Sequence, residues 1–246
     1  MSYSQNPYES PMVPMDRFAA QAAAGERADF ITKTYLHLAG AIGLFVALEA
    51  VLLSMPGVDK LVEMMRFGSR YSWLIVLGAF MVVSWVAESW ARSAVSQTTQ
   101  YLGLGLYVFA EAVIFVPLLF IATNLDRLHG THIIPSAAVA TLGLFGILTA
   151  TVLVTRKDFS FLRGVLWFGG LAAMGFILVA ILFQFDLGPI FVYAMIALAC
   201  GYILFQTSGV MHHYRIGQHV AAALALFAAV ALLFWYIVLL FMRSRD

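Results

Sequence analysis

The chain has 246 residues, of which 62% are hydrophobic and only 11% are charged, whereas soluble domains carry roughly 25% charged residues. Its net charge of +1 provides no basic field for nucleic acid. The single cysteine, Cys200, excludes an intramolecular disulfide and a cysteine-based metal cage. The composition is that of a membrane protein.

The N-terminal segment differs from the rest of the chain in composition. Residues 1–30 are rich in Ser, Pro, Ala and charge, and such a segment buries too little apolar surface to offset its ordering entropy. We predict a flexible cytoplasmic tail over 1–30, with a short interfacial helix near Met15–Ala24. Residues 31–246 are predicted to form one transmembrane domain.

Apolar stretches long enough to cross the membrane recur from residue 32 onward. A hydrocarbon core of ~30 Å needs about 20 helical residues, and the runs 187–214 and 216–242 contain no Asp, Glu, Lys or Arg. Short connectors require antiparallel neighbours in one bundle. The sequence therefore predicts an all-α membrane protein with seven spans, at 32–54, 72–94, 101–123, 132–155, 163–184, 188–209 and 219–242.

The connectors suggest an orientation in the membrane. The longest, 55–71, carries five charged residues, so we expect an amphipathic helix on the membrane surface. Lys and Arg number eight on the N-terminal side of the bundle and six on the other side. This bias favours a cytoplasmic N-terminus and, with seven spans, a C-terminus outside.

Small residues predict where helices approach closely. The last span begins Ala-rich, so we expect a thin helix at the centre of the bundle. Trp235 and Tyr236 lie too deep for an interfacial belt, and we expect them to pack or to line a cavity. Five glycines of the fourth and fifth spans are expected at tight contacts: Gly143, Gly146, Gly169, Gly170 and Gly175.

Ionisable residues inside the spans are candidates for function because burying them is costly. Glu88 and Arg92 are four residues apart, as an ion pair on one helix requires, so they are either a structural pair or a functional one. Glu49 either reaches the outer interface or belongs to an ion path. Glu111, six residues before Pro117, is either a protonated packing residue or part of an ion or proton path.

Other polar clusters offer little chemistry. His212, His213 and His219 lie with Arg215 at one turn, and because no carboxylate is close in sequence, we expect an ordinary polar turn. The sequence contains no nucleophile elbow, zinc-helix motif, phosphate loop or dinucleotide fingerprint. We therefore expect no enzyme, no cofactor and no metal site.

Three segments resemble one family: ITKTYLHLAG at 31–40, VLVTRKDFSFLRGVL at 152–166 and YILFQTSGVM at 202–211. They are similar to the Bax inhibitor-1 family, and most closely to its bacterial YccA-like branch. Ser160 lies at a plausible N-cap for the fifth span. The most specific part of the motif is the turn formed by Arg156, Lys157, Asp158, Ser160 and Phe161.

The resemblance implies a seven-helix bundle with the last helix central, and it implies two activities. Some members are pH-sensitive calcium leaks in which two acidic residues on the sixth and seventh helices share a proton. The matching positions here are Gln206 and Ala229, which cannot form such a pair. The family's pH sensor is therefore expected to be absent, unless Glu111 replaces it.

YccA-like members instead bind and restrain the membrane protease FtsH and its associated proteins. On sequence alone, we favour this quality-control role, which fits the absence of the acidic pair. The alternative is a leak for Ca²⁺ or protons. Apart from the lipid bilayer, the expected partners are the FtsH complex or these cations.

Overall fold

A computed structural model describes residues 18–67, 71–93 and 96–244, apart from the side chains of residues 66 and 67. Within these ranges the protein is all-helical and contains no strand. A short 3-10 turn at Ala19–Gln21 precedes the first helix. Helices α1 to α8 are, in chain order, Ala24–Ser54, Val58–Phe67, Ser72–Ala91, Gln97–His129, Ile133–Thr155, Leu162–Phe183, Gly188–His212 and His219–Arg243.

Seven of these helices, all except α2, are long and apolar enough to cross a membrane. They coincide with the seven predicted spans, although several ends differ. Helix α1 begins at Ala24 rather than near residue 32, because its polar first turns are stabilised within the helix. Asp29 pairs with Lys33 at 2.7 Å, and Phe30 is buried.

Part of the predicted N-terminal tail is docked on the bundle. The backbone N–H of Ala19 donates to the Tyr214 carbonyl at 2.8 Å, and the Arg215 guanidinium lies 5.7 Å from the centre of the Phe18 ring. Residues 18–30 thus have defined contacts, and the described part of the expected interfacial helix is the 3-10 turn. Residues 1–17, which include Met15 and Arg17, lie outside the described residues.

Helices α8 and α4 form the centre of the bundle. In each, 61% of the most apolar segment is buried, compared with 11–22% in the other five spans. Helix α8 packs against α1, α3, α4, α5 and α7. The predicted central position of the last helix is confirmed, because its Ala-rich face, including Ala221–Ala223, allows neighbours to approach it closely. The central position of α4 was not predicted.

The connector between the first two spans contains a helix, α2, as expected. Its Val62 and Met65 are buried, and it packs against α1, α3 and α4. The helix therefore contributes apolar side chains to the bundle. Arg66 and Arg70, on which the orientation count partly relied, and Arg245 lie outside the part of the chain whose side chains are described.

The predicted glycine contacts are only partly correct. A methyl group at Gly169 would lie 2.9 Å from Leu198, and one at Gly170 would lie 2.8 Å from the Tyr202 hydroxyl, so α6 packs closely on α7 there. At the other three predicted glycines, Gly143, Gly146 and Gly175, such a methyl group would meet no atom within 4 Å. Those predictions were wrong, because these positions face away from neighbouring helices.

Candidate functional site

A cavity of about 740 Å³ lies between α3, α4, α6, α7 and α8. Its wall on α3 extends from Trp73, near one end of the helix, to Arg92, which caps the other end. At 1.5 Å per residue, this wall is roughly 28 Å long, close to the ~30 Å of a hydrocarbon core. The cavity therefore follows most of the thickness of the membrane. Trp235 and Tyr236 also line this cavity, as was expected of aromatic residues that lie deep in the last span.

Helix α6 forms the outer wall of this cavity. It packs along α7 and touches α3 over a short stretch, but it does not pack against α4 or α8. Its contribution to the lining is apolar and consists of the small residues Gly170 and Ala173 and the larger Met174 and Ile177. No helix packing therefore fills the space between α6 and α8. The boundary between α3 and α6 is the least tightly packed side of the cavity.

The structure brings Glu111 to the same cavity as Gln206 and Ala229, the positions matching the family's acidic pair. The Glu111 side chain is only 7% exposed, and Tyr107, one helical turn earlier, lies beside it. Gln206 accepts a hydrogen bond of 3.4 Å from the Tyr214 hydroxyl. A single carboxylate therefore lines the deep part of the cavity, opposite polar groups that do not titrate as acids.

Glu88 and Arg92 also line the cavity, near its N-terminal-side end. The predicted ion pair between them does not form, since no salt bridge joins these two described side chains. Helix α3 ends at Ala91, which leaves Arg92 as the capping residue. Both side chains are exposed. Burial raises the pKa of nearby Tyr214. The charge of Arg92 lowers this pKa, and the charge of Glu88 raises it.

Glu49 is buried rather than interfacial. Its side chain is 5% exposed, and neither carboxylate oxygen has a hydrogen-bond partner among the described residues. The expectation that it reaches the outer interface was wrong, because Glu49 continues the buried face of α1 that includes Leu38, Ala41 and Phe45. A buried acid without a partner is costly in a membrane, which keeps Glu49 a functional candidate.

Aromatic rings separate the two buried carboxylates. Phe45 on α1 meets Phe115 on α4 at 5.1 Å and Phe227 on α8 at 5.9 Å, both in T-shaped contacts. Glu49 lies one turn beyond Phe45 and Glu111 lies one turn before Phe115, on helices that run in the same direction. We call Phe45, Phe115 and Phe227 the aromatic constriction, because their contacting rings lie between the levels of the two acids along the bundle.

The family motif forms a polar network at the N-terminal-side end of the bundle. Asp158 accepts hydrogen bonds from the Ser160 backbone N–H at 2.9 Å and the buried Ser208 hydroxyl at 3.2 Å. It also pairs with His213 at 3.1 Å. The Ser160 backbone hydrogen bond, together with the side chains of His213 and Ser160, lowers the pKa of Asp158 to about 2.

Two predictions about this region were therefore wrong. The N-cap of α6 is Phe161, one residue beyond Ser160, and no side chain caps the helix. The histidine turn does have a carboxylate, supplied by Asp158 from a distant part of the sequence. Arg156 and Lys157 are exposed at the same turn, and Phe161 is 71% exposed.

The remaining histidines do not converge on a ligand. His219 packs against His37 with 4.8 Å between ring centroids, and His129 contacts the Leu125 carbonyl. Throughout the part of the chain that the structure describes, no three His, Cys, Asp or Glu side chains are grouped to hold a metal ion. The cavity is thus the principal candidate site.

Sequence reasoning missed several residues that line this cavity, among them Tyr107 and Trp73. The sequence could have indicated Tyr107, because it precedes Glu111 by four residues and so lies on the same helical face. The burial of Glu49 could also have been inferred, because Glu49 extends an apolar stripe of α1 with helical spacing. No sequence pattern indicated Trp73, because its position at the cavity depends on how distant helices pack.

Seven apolar helices around a membrane-length cavity define a multi-pass membrane protein. The sequence model described as "Inhibitor of apoptosis-promoting Bax1" matches residues 27–246, so the chain belongs to the Bax inhibitor family. It is 26% identical over 235 residues to Bax inhibitor 1 of Schizosaccharomyces pombe, covering 92% of this chain and 81% of that protein. It is 25% identical over 204 residues to an uncharacterized Pseudomonas aeruginosa protein, covering 80% and 86%.

Proposed function

We propose that this protein is a cation leak whose path is the intramembrane cavity, with Glu111 as the group that attracts the ion. The position of Glu111 in the wall of this cavity is the observation that carries the proposal. Buried acids facing such spaces are typical of ion and proton paths, and carboxylates select cations in pores. The candidate ions are Ca²⁺ and protons.

The aromatic constriction gives this path a closed state. Phe45, Phe115 and Phe227 lie between Glu111 and Glu49, and hydrophobic constrictions can block conduction by excluding water. In this proposal, an ion reaches Glu111 from the N-terminal side and passes to Glu49 only when the three rings separate. Glu49 then supplies the second carboxylate of the path.

The leak should lack the carboxylate-pair pH switch of the family. Gln206 and Ala229 line the cavity at the two positions concerned, and neither can hold the shared proton that such a switch requires. We therefore expect the flux to change little across the pH range in which a gate made of two acids would open or close.

The existence of a leak can be tested with the full chain reconstituted into liposomes that enclose a Ca²⁺ indicator. We expect Ca²⁺ entry faster than into protein-free liposomes at both neutral and mildly acidic pH. The same liposomes with a proton-sensitive dye distinguish Ca²⁺ from protons. Rates equal to those of empty liposomes with both dyes would rule out the leak.

A second candidate is a modulator of membrane-protein quality control through the FtsH complex in a bacterial inner membrane, with the N-terminus in the cytoplasm. It is favoured by the docking of Phe18 and Ala19, the first described residues, on the α7–α8 connection. Co-purification from native membranes tests it. We expect stoichiometric FtsH with the full chain and its loss after deletion of residues 1–17.

A further inference from the structure

A second cavity, the basic chamber, adjoins the large one at its N-terminal-side end. The chamber measures about 520 Å³ and is lined by two arginines, Arg92 and Arg163, but by no acidic residue. It shares Arg92, Tyr202 and Gln206 with the large cavity. The two cavities therefore adjoin at these three residues, with the basic chamber beside the N-terminal-side end of a long, mainly apolar cavity.

Both arginine side chains in the chamber are available to a ligand. Neither guanidinium forms a hydrogen bond or ion pair with another described side chain, and both side chains are exposed. The chamber's His213 is instead engaged by Asp158, and Glu88 lines the deeper cavity rather than the chamber. Two guanidinium groups in one chamber suit a phosphate group, to which each can donate two parallel hydrogen bonds.

The cavity beyond the chamber suits a hydrocarbon chain. Its walls there include Ala173 and Ile177 on α6 and Leu224 and Ala228 on α8. Sites of roughly 300–1,000 Å³ lined by apolar side chains are typical of small-molecule ligands. The wall on α3, roughly 28 Å long, leaves room for an extended acyl chain.

The chamber lies at the depth where phospholipid head groups are found. Trp167, which lines it, is 62% exposed, and exposed Trp side chains concentrate at membrane interfaces. The limited contact between α3 and α6 leaves a lateral route from the bilayer. A lipid can therefore enter without crossing the packed core of the bundle.

We propose that an anionic phospholipid binds in this composite site, with its phosphodiester between Arg92 and Arg163 and one acyl chain in the large cavity. The two guanidinium groups in the chamber wall favour an anionic head group over a zwitterionic one. The bound chain would fill the space beside Glu111 and so block the route proposed for a cation. The binding itself does not depend on that route.

Native mass spectrometry of the detergent-solubilised full chain tests the proposal. We expect a one-to-one adduct with dioleoylphosphatidylglycerol at a concentration at least tenfold lower than with dioleoylphosphatidylcholine. The double variant Arg92→Gln, Arg163→Gln should lose this preference, whereas Arg127→Gln, an exposed arginine at the opposite end of α4, should keep it. Equal binding of the two lipids to the unmodified chain would overturn the proposal.

A second variant tests the acyl-chain part of the site. Ala228→Phe, which fills the cavity away from the chamber, should weaken phosphatidylglycerol binding at least tenfold while helicity measured by circular dichroism is unchanged. Inorganic phosphate should not displace the bound lipid. Full displacement by phosphate would show that the chamber binds a free anion and would contradict a lipid site. Unchanged lipid binding by a folded Ala228→Phe variant would show that no acyl chain occupies the large cavity and would overturn the composite site.

Discussion

The Phe45 ring lies edge-on against the Phe115 ring, with 5.1 Å between the ring centroids and 83° between their planes. This contact joins α1 to α4 at the level that separates Glu49 from Glu111. Phe227 from the central helix completes the constriction through a T-shaped contact with Phe45 at 5.9 Å. The closed state of the proposed path therefore depends on three side chains from three different helices.

Shortening Phe45 should open the constriction. We expect Phe45→Ala to raise the Ca²⁺ flux several-fold, because the barrier loses one of its rings, and to cost about 3–5 kcal/mol of stability. Phe45→Leu should give a smaller increase at a smaller cost. Liposome flux, normalised to the amount of folded protein, checks both.

Leu38→Ala is the matched control for this substitution. Leu38 is 2% exposed on the same face of α1, two turns from Phe45, so its loss should cost about 2–5 kcal/mol without raising the flux. Equal flux increases in Leu38→Ala and Phe45→Ala would mean that loosened packing, rather than an opened constriction, causes the leak.

Replacing Glu49 by an amide should raise the stability of the protein and lower its cation flux. Because both Glu49 oxygens are buried without a partner, we expect Glu49→Gln to raise the melting temperature in detergent, since a neutral amide costs less to bury than a carboxylate. The same variant should reduce the flux. Glu63→Gln on α2, where the side chain is exposed, should change neither quantity.

The packing of α3 on α4 depends on Gly103. A methyl group there would lie 2.6 Å from both the Ala87 carbonyl oxygen and the Ala91 nitrogen, so Gly103→Ala should force the helices apart and cost about 1–3 kcal/mol. Gly105→Ala, two residues along the helix, meets no atom within 4 Å and should be neutral or stabilising by up to about 1 kcal/mol. Thermal melts of the two variants provide the comparison.

The Asp158 network should make stability depend on acidity. The pKa of Asp158 is held at about 2 in the folded protein, below its ordinary value of 3.8, so its stabilisation is fully present above the ordinary pKa. It is lost as the pH falls through the folded pKa. Asp158→Asn should be less stable at neutral pH, by less than about 1 kcal/mol because the site is exposed.

The measurement for this prediction is the difference in melting temperature between the unmodified chain and Asp158→Asn across the acid range. The difference should shrink as the pH falls from the ordinary pKa toward the folded one. A difference that stays constant through this window would show that the Asp158 charge is not what holds the turn to Ser208 and His213.

The seven spans could be predicted because each is a continuous stretch of about 20 mainly apolar residues. The central position of the last helix could be predicted because its Ala-rich start is visible in the sequence. The burial of Glu49 was also predictable in principle, since it continues the stripe of Leu38, Ala41 and Phe45.

The contacts between distant segments could not be predicted in this way. His213 finds its carboxylate 55 residues earlier in the sequence, in Asp158, and no local pattern encodes that distance. The same applies to the basic chamber, where Arg92 and Arg163 meet only because α3 and α6 form opposite sides of one cavity. Such sites follow from helix packing, which hydropathy alone does not determine.

The central claim, that the cavity conducts a cation through Glu111, is tested most directly by Ca²⁺ flux in liposomes at matched protein content. The comparison uses the unmodified chain, Glu111→Gln, which removes the buried carboxylate of the cavity, and Glu63→Gln, which removes an exposed carboxylate on α2. We predict that Glu111→Gln abolishes the flux and that Glu63→Gln preserves it. A folded Glu111→Gln variant that conducts as fast as the unmodified chain would contradict this account.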